Sequence, residues 1–281
     1  MPEVSTVDEL LAHARSLGVD RLDAQCLLAH AASRSRAWLL AHGDEPVAHP
    51  AAEALRPLLQ RRAAGEPLAY LLGEREFHGL MLRVTPDVLV PRPDTETLVD
   101  WAIELMAGND QACVVDLGTG SGAIALALKH ACPHADVHAT DASAAALAVA
   151  RDNGLRLGLP VSWHLGDWWQ ALADWPRERF DLAAANPPYI AAGDPHLEAL
   201  RHEPRAALVP AGDAADGLAD LERVIARAPS RLRPGGWLLL EHGYEQASRV
   251  CQRLLEHGFC DVATREDLAG QPRVSGGRTP G

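Results

Sequence analysis

From Ala112 onward short apolar runs alternate with helical stretches, and that alternation admits few folds. Cys113-Val114-Val115-Asp116 and residues 136–140, 161–165 and 180–185 read as buried strands. Residues 123–131 and a segment from Ser143 through Asn153 read as helices between them. Strands joined through helices predict a parallel sheet covered on both faces, because parallel neighbours need a crossover. In such a sheet the carboxyl ends of the strands lie along one edge, which is where open α/β folds bind ligands.

What stands at those ends is therefore the functional question. After the first strand comes Gly118-Thr119-Gly120-Ser121-Gly122, a turn that lets a ligand approach backbone and helix N-terminus. Its G-x-G-x-G spacing differs from the G-x-G-x-x-G of dinucleotide sites, and alone it is equally a tight turn. Asp141 ends the second strand, either to accept ribose hydroxyls or simply to cap the next helix. The third ends in Gly166-Asp167-Trp168-Trp169. Here Asp167 could accept from an exocyclic adenine amine under an indole, or the tryptophans could be core anchors.

The fourth strand runs into Asn186-Pro187-Pro188-Tyr189. Consecutive prolines end sheet pairing and leave the loop few shapes. Such a loop offers a side-chain amide, carbonyls with no competing N–H, and an aromatic face. Those parts suit a planar NH2 group, whose two hydrogens need two acceptors. An isolated Asn-Pro is usually only a turn; four such strand ends in succession are far more specific than any one of them.

The first third of the chain reads differently. Thr6-Val7-Asp8-Glu9 fits a capping box, Asp20 and Ser35 or Ser33 can cap further helices, a fourth helix begins near Pro50, and Glu66-Pro67 starts a last short piece. Nothing in it has nucleophile, metal or phosphate spacing, so residues 1–75 are expected to be a small helical bundle that recognises a partner. Residues 76–90 follow as a β-hairpin linker, with Val88-Leu89-Val90 as a short strand. Residues 91–281 would form the catalytic domain. Its opening arm, Pro91-Arg92-Pro93-Asp94-Thr95-Glu96, is either a stiff linker with a helix cap or a flap that lines a pocket with Arg92 and Glu96.

Composition excludes some classes. A net charge of −12 argues against a sequence-independent polyanion binder. Five scattered cysteines without C-x-x-C spacing predict neither a disulfide framework nor a metal site. There is no signal sequence and no apolar run approaching the ~18 residues of a membrane span, so a cytoplasmic protein without a membrane partner is expected.

Asp116-Leu117-Gly118-Thr119-Gly120-Ser121-Gly122, Asp141 and Asn186-Pro187-Pro188-Tyr189 resemble S-adenosylmethionine-dependent methyltransferases acting on planar nitrogens. The Pro91 to Glu96 arm, Gly65-Glu66-Pro67-Leu68, His202-Glu203-Pro204-Arg205 and Pro234-Gly235-Gly236-Trp237 narrow the resemblance to the protein-(glutamine-N5) methyltransferases of peptide-chain release factors. The resemblance covers nearly the whole chain. It implies a Rossmann-like seven-stranded methyltransferase domain behind the helical bundle, with class 1 release factors as the protein substrate, no direct nucleic-acid partner and a monomeric enzyme. It places Gly118, Thr119, Gly120, Ser121 and Gly122 at the cofactor's methionine part, Asp141 at its ribose, and Asp167 with Trp168 at its adenine. Asn186, Pro187, Pro188 and Tyr189 would hold the substrate glutamine. Asn186 Oδ1 and the Pro187 carbonyl would accept the amide hydrogens, and Tyr189 would pack on the amide plane.

One departure is the tail. Residues 275–281 are rich in Gly and Pro and lack the family's aromatic end, so a loose tail is expected. The rival chemistry is transfer to an exocyclic amine of DNA or RNA, adenine N6, which presents the same planar NH2 to the same loop; the acidic charge weighs against it.

Overall fold

The computed structural model describes residues 5–173, 179–212 and 215–281. The chain divides into two compact units, residues 1–74 and 75–281. The first contains α1 (Val7–Ser16), α2 (Arg21–Ala32), α3 (Arg36–Ala41), α4 (His49–Ala63) and α5 (Leu68–Leu72). The caps fall where the sequence put them. Thr6 Oγ1 accepts from Glu9 N while Glu9 Oε2 accepts from Thr6 N, and Asp20 and Ser35 cap α2 and α3. Each such cap is worth about 1 kcal/mol. The helices close over Leu27, Leu28, Leu39, Leu55 and Leu59, each at most 1% exposed. Burial of each such side chain favours folding by about 1.5–3 kcal/mol, which exceeds what the caps supply.

The second unit begins within a hairpin, β1 (Glu74–Phe77) and β2 (Leu80–Arg83). Phe77, Leu80 and Leu82 pack into the main core, and Asn153 both accepts from Arg83 N and donates to Arg83 O, at 2.7 and 2.9 Å. Val88-Leu89-Val90 is not a strand. Val88 N closes a turn on Thr85 O, and Val90 N donates to the buried Glu203 side chain, so neither supplies a ladder. After the arm, α6 (Glu96–Met106) leads to β3 (Cys113–Leu117), α7 (Ala123–Ala131), β4 (Asp136–Asp141), α8 (Ala144–Leu157), β5 (Ser162–Leu165) and β6 (Phe180–Ala185). Then come α9 (Ala219–Arg227), β7 (Leu232–Glu241), α10 (Ala247–Glu256), β8 (Cys260–Glu266) and β9 (Pro272–Arg278).

These strands form a seven-stranded sheet in the order β5-β4-β3-β6-β7-β9-β8, with β9 antiparallel to both its neighbours. The order reverses between β3 and β6, the switch point at which a crevice opens beyond the carboxyl ends. The central strands β3 and β6 are buried on both faces. Leu98, Ile124 and Leu128 cover one, and Leu221, Val224, Val250 and Leu254 the other.

The expected loose tail is instead a strand inside the sheet. Ser275 is fully buried, bonding His242 Nε2 and Thr264 Oγ1 at 2.7 Å each. The glycines that suggested looseness are there for room: a Cβ on Gly276 would sit 2.5 Å from Leu239 Cδ2 and 2.8 Å from Leu238 O. Among the described residues no helix is long and apolar enough to cross a membrane.

Candidate active site

The glycine turn is fixed by backbone bonds to the neighbouring strand. Gly118 N and Thr119 N both donate to Thr140 O, at 2.9 and 2.8 Å. Two carboxylates complete the hold. Asp116 Oδ2 accepts from Thr119 Oγ1 at 2.6 Å and from Ala125 N at 3.2 Å; Asp141 accepts from Gly120 N and Ser143 N at 2.8 Å each. Asp116 is wholly buried and its Oδ1 has no partner, so burial pushes its pKa up to about 7 against the pull of Thr119 and Ala125. Asp141 is raised too, again chiefly by burial. Asp141 ties the glycine turn to the start of α8 and also lines the cavity.

The paired tryptophans divide. Trp169 is a core anchor, 3% exposed, with Nε1 donating to Val224 O. Trp168 lines the cavity from a left-handed backbone (φ +45°), a conformation that costs a non-glycine residue about 1–3 kcal/mol and clusters at functional sites. Its ring lies over Gly118, where a Cβ would be 2.8 Å from Cζ3. Asp167 also lines the cavity and is ion-paired with Arg223.

The Asn186 loop forms the other wall. Asn186 Nδ2 donates to Thr95 Oγ1 at 3.3 Å, which occupies the amide's donor side and leaves Oδ1 as its acceptor. Asn186 and Pro188 line the cavity; Pro187 and Tyr189 are not among its lining residues. Tyr189 packs against the core instead, its hydroxyl donating to Glu241 Oε1 at 3.2 Å, because that buried carboxylate needs a donor. Gln246 Nε2 donates to Tyr189 O at 3.0 Å, holding the far end of the loop.

The Pro91 to Glu96 arm does cover the cavity, through Pro91, Arg92 and Thr95. Arg92 is ion-paired with Glu203, which locks the arm to the segment around Pro204. Glu96 does not line the cavity; it accepts from His78 N at 3.0 Å and so anchors the hairpin. Gly122 is likewise behind the wall, opening α7.

The cavity has a volume of about 440 Å³ and brings Gly118, Thr119, Gly120, Ser121, Asp141, Asp167, Trp168 and Asn186 to one space. That volume lies within the range of small-molecule and cofactor pockets. A nucleoside-bearing sulfonium fits the donor set: a carboxylate for hydroxyls, an indole for a ring, and a glycine turn that lets the ligand reach the backbone.

Residues 7–73 match the family model described as PrmC N-terminal domain, and residues 97–215 that described as methyltransferase small domain. Over 263 residues the chain is 53% identical to a release factor glutamine methyltransferase of Bordetella pertussis, covering 92% of this chain and 95% of that protein. A second such enzyme, of Burkholderia pseudomallei, is 48% identical over 288 residues, covering 100% and 98%. The chain belongs to the release factor glutamine methyltransferases. The fold is shared more widely: the solved delta-N METTL16 methyltransferase domain matches with a TM-score of 0.55 at 19% identity, over 72% of this chain and 89% of that one.

Within this release factor glutamine methyltransferase, sequence reading missed the residues that hold the site from behind. Thr95, within the arm expected to cap the next helix, is the partner of Asn186. Asn153, buried in α8, donates to Ser121 O at 2.9 Å and joins the glycine turn to the hairpin. Arg223 and Glu241 carried no motif that the chain order could connect to the cavity. For Glu241, the sequence offered only its place in the Pro234 to Gly243 segment and an acid ending the apolar run Trp237-Leu238-Leu239-Leu240.

Proposed function

We propose that this enzyme transfers a methyl group from S-adenosylmethionine to the side-chain amide nitrogen, N5, of the glutamine in the Gly-Gly-Gln motif of class 1 peptide-chain release factors. The observation that carries the reading is that Asn186 and the Gly118–Ser121 turn line one cavity. Gly118 to Ser121 would hold the methionine part of the cofactor, Asp141 its ribose, and Asp167 with Trp168 its adenine. When bound, the cofactor supplies an already electrophilic methyl carbon on a sulfonium.

The chain's own task is to present the nucleophile, since an amide nitrogen has its lone pair delocalised into the carbonyl. Asn186 Oδ1 accepts one amide hydrogen. The second is assigned to the Pro187 carbonyl, whose residue has no N–H to compete. Two fixed acceptors orient the nitrogen and stabilise the positive charge that grows as it pyramidalises, the acceptor counterpart of an oxyanion hole. Orientation alone is worth several kcal/mol of barrier. The surplus proton leaves after transfer, so no general base is assigned.

Residues 1–75 are assigned to release-factor recognition, and the enzyme to the cytoplasm as a monomer. The deciding experiment incubates the enzyme with methyl-labelled cofactor and either release factor or DNA and RNA. Label is expected on release factor as N5-methylglutamine; label recovered as N6-methyladenine overturns the reading.

A further inference from the structure

At the opposite edge of the sheet, where β3 and β4 begin, the fold gathers side chains that no cysteine spacing announces. Asp136 and His138 are two apart on β4 and so point to one face of the sheet. Cys113 opens β3 and stands directly across from Asp136 in the parallel register, which puts it on that face too. Cys113 Sγ, an Asp136 carboxylate oxygen and a His138 ring nitrogen lie within 4.8 Å of one another, and His138 Nε2 is 3.2 Å from Asp136 Oδ2. Around a tetrahedral ion with bonds of about 2.0–2.3 Å, ligand atoms stand about 3.3–3.6 Å apart. The His138–Asp136 pair already has that spacing, and the thiol reaches it by moving about 1 Å or less.

The surroundings hold these groups from behind. His138 is 1% exposed, with its ring edge-on to Phe180 and Nδ1 3.1 Å from His164 Nε2. When Nδ1 carries the proton and donates to His164, Nε2 turns its lone pair towards Asp136 and Cys113, as metal-bound imidazoles are oriented. The other tautomer places a proton on Nε2 beside the carboxylate, so a metal ion competes there with one proton. Cys113 N donates to Asp181 Oδ2 at 2.8 Å, and Arg233 Nη1 donates to both oxygens of that carboxylate, at 2.9 and 2.8 Å. The backbone that carries the thiol is thereby pinned beyond its strand ladder. Lys129, close by in sequence, donates to Ala135 O at 2.7 Å.

A thiolate and a carboxylate together balance a divalent cation, so the assembled site is neutral, as burial beside β3 requires. Sulfur and imidazole disfavour calcium and magnesium, which take oxygen, and a mixed S, N and O set of three suits zinc. The Asp136 side chain is 60% exposed, which gives an ion its path from solvent and leaves a fourth position to water. We propose that Cys113, Asp136 and His138 form a zinc-binding site at the amino ends of β3 and β4, with His164 as the partner that orients His138. The cavity lies at the carboxyl ends of the same strands, so the ion clamps β3 to β4 and takes no part in methyl transfer. The proposal does not depend on the identity of the methyl acceptor.

Cobalt(II) is the probe, because a thiolate bound to it absorbs by charge transfer in the near ultraviolet and carboxylate or imidazole ligands alone do not. Full-length, reduced, tag-free protein should bind one equivalent with that absorption. Zinc should displace the cobalt and raise the melting temperature, as any ligand of the folded state does. Cys113→Ser should abolish the absorption, and replacement of Cys26, Cys132, Cys251 and Cys260 by serine should leave it intact. Asp136→Asn and His164→Ala should keep the absorption but weaken cobalt binding about 10–100-fold. Melting curves of the metal-free variants show which are folded, and Asp136→Asn, at an exposed side chain, tests the site without disturbing the core. Absence of the absorption from wild type in excess cobalt would leave Asp136 and His138 as a plain ion pair and overturn the proposal. Its survival in Cys113→Ser, or wild-type affinity in Asp136→Asn, would overturn it equally.

Discussion

The two walls of the cavity are built in opposite ways. The glycine turn is held by its own neighbourhood: Asp116 reaches Thr119 and Ala125, Asp141 reaches Gly120 and Ser143, and all lie within two successive strand-to-helix turns. The Asn186 loop takes almost nothing from nearby sequence. Its bonds run to Thr95, Glu241 and Gln246, which are 91, 52 and 57 residues away. The first wall is a local motif and the second a tertiary assembly. A cofactor common to many enzymes can be met by a portable turn, whereas an acceptor loop must be set by the particular fold around it.

The sharpest test of this division is Asn186→Ala. Turnover of release factor should drop about 10²–10³-fold, the cost of one preorganised hydrogen-bonding group, with affinity for S-adenosylhomocysteine much less affected. Unchanged turnover would remove the loop from the chemistry. Next comes Asp116→Asn. A carboxyl whose folded pKa is about 7 against 3.8 binds more protons folded than unfolded, so its contribution weakens the fold as pH rises through that window. At pH 8 the asparagine variant should be more stable than wild type by a few kcal/mol, and near pH 4 by little. Denaturant melts at both pH values check the sign, and an equal difference at both would mean that the carboxyl is not held neutral. Gly118→Ala is expected to weaken cofactor-product binding at least about tenfold by calorimetry, through strain at φ +75° and displacement of the Trp168 ring. Unaltered binding would show that the ring is not part of the site. The smallest effect belongs to Ser143→Ala, which removes the cap bond to Ala146 and should cost about 1 kcal/mol of stability by the same melts, with methyl transfer retained.

The same division decides what could be read before the fold was known. β3, α7, β4 and β6 show in the sequence as apolar runs and periodicity, and the strand-end residues Gly118, Asp141, Trp168 and Asn186 follow from them. These signals are local, so neighbouring residues suffice. Tyr189 and Glu96 were assigned to the cavity because their neighbours in sequence are there; each instead serves a partner that chain order does not reveal, Glu241 and His78. Residues 275–278 misled for a related reason. Glycine marks both freedom and crowding, and only the packed sheet shows that Gly276 answers to Leu239.

The place of β9 carries a consequence for how the chain acquires its shape. β8 precedes β9 in sequence but reaches the sheet only through it, since β9 lies between β7 and β8. Until residues 272–278 pair, β8 has no strand of the sheet beside it and the edge of β7 is open. An unfinished or truncated chain would present two unpaired strand edges, the form of exposure that invites association between chains. Completion of the sheet waits for a segment made after both of the strands it joins.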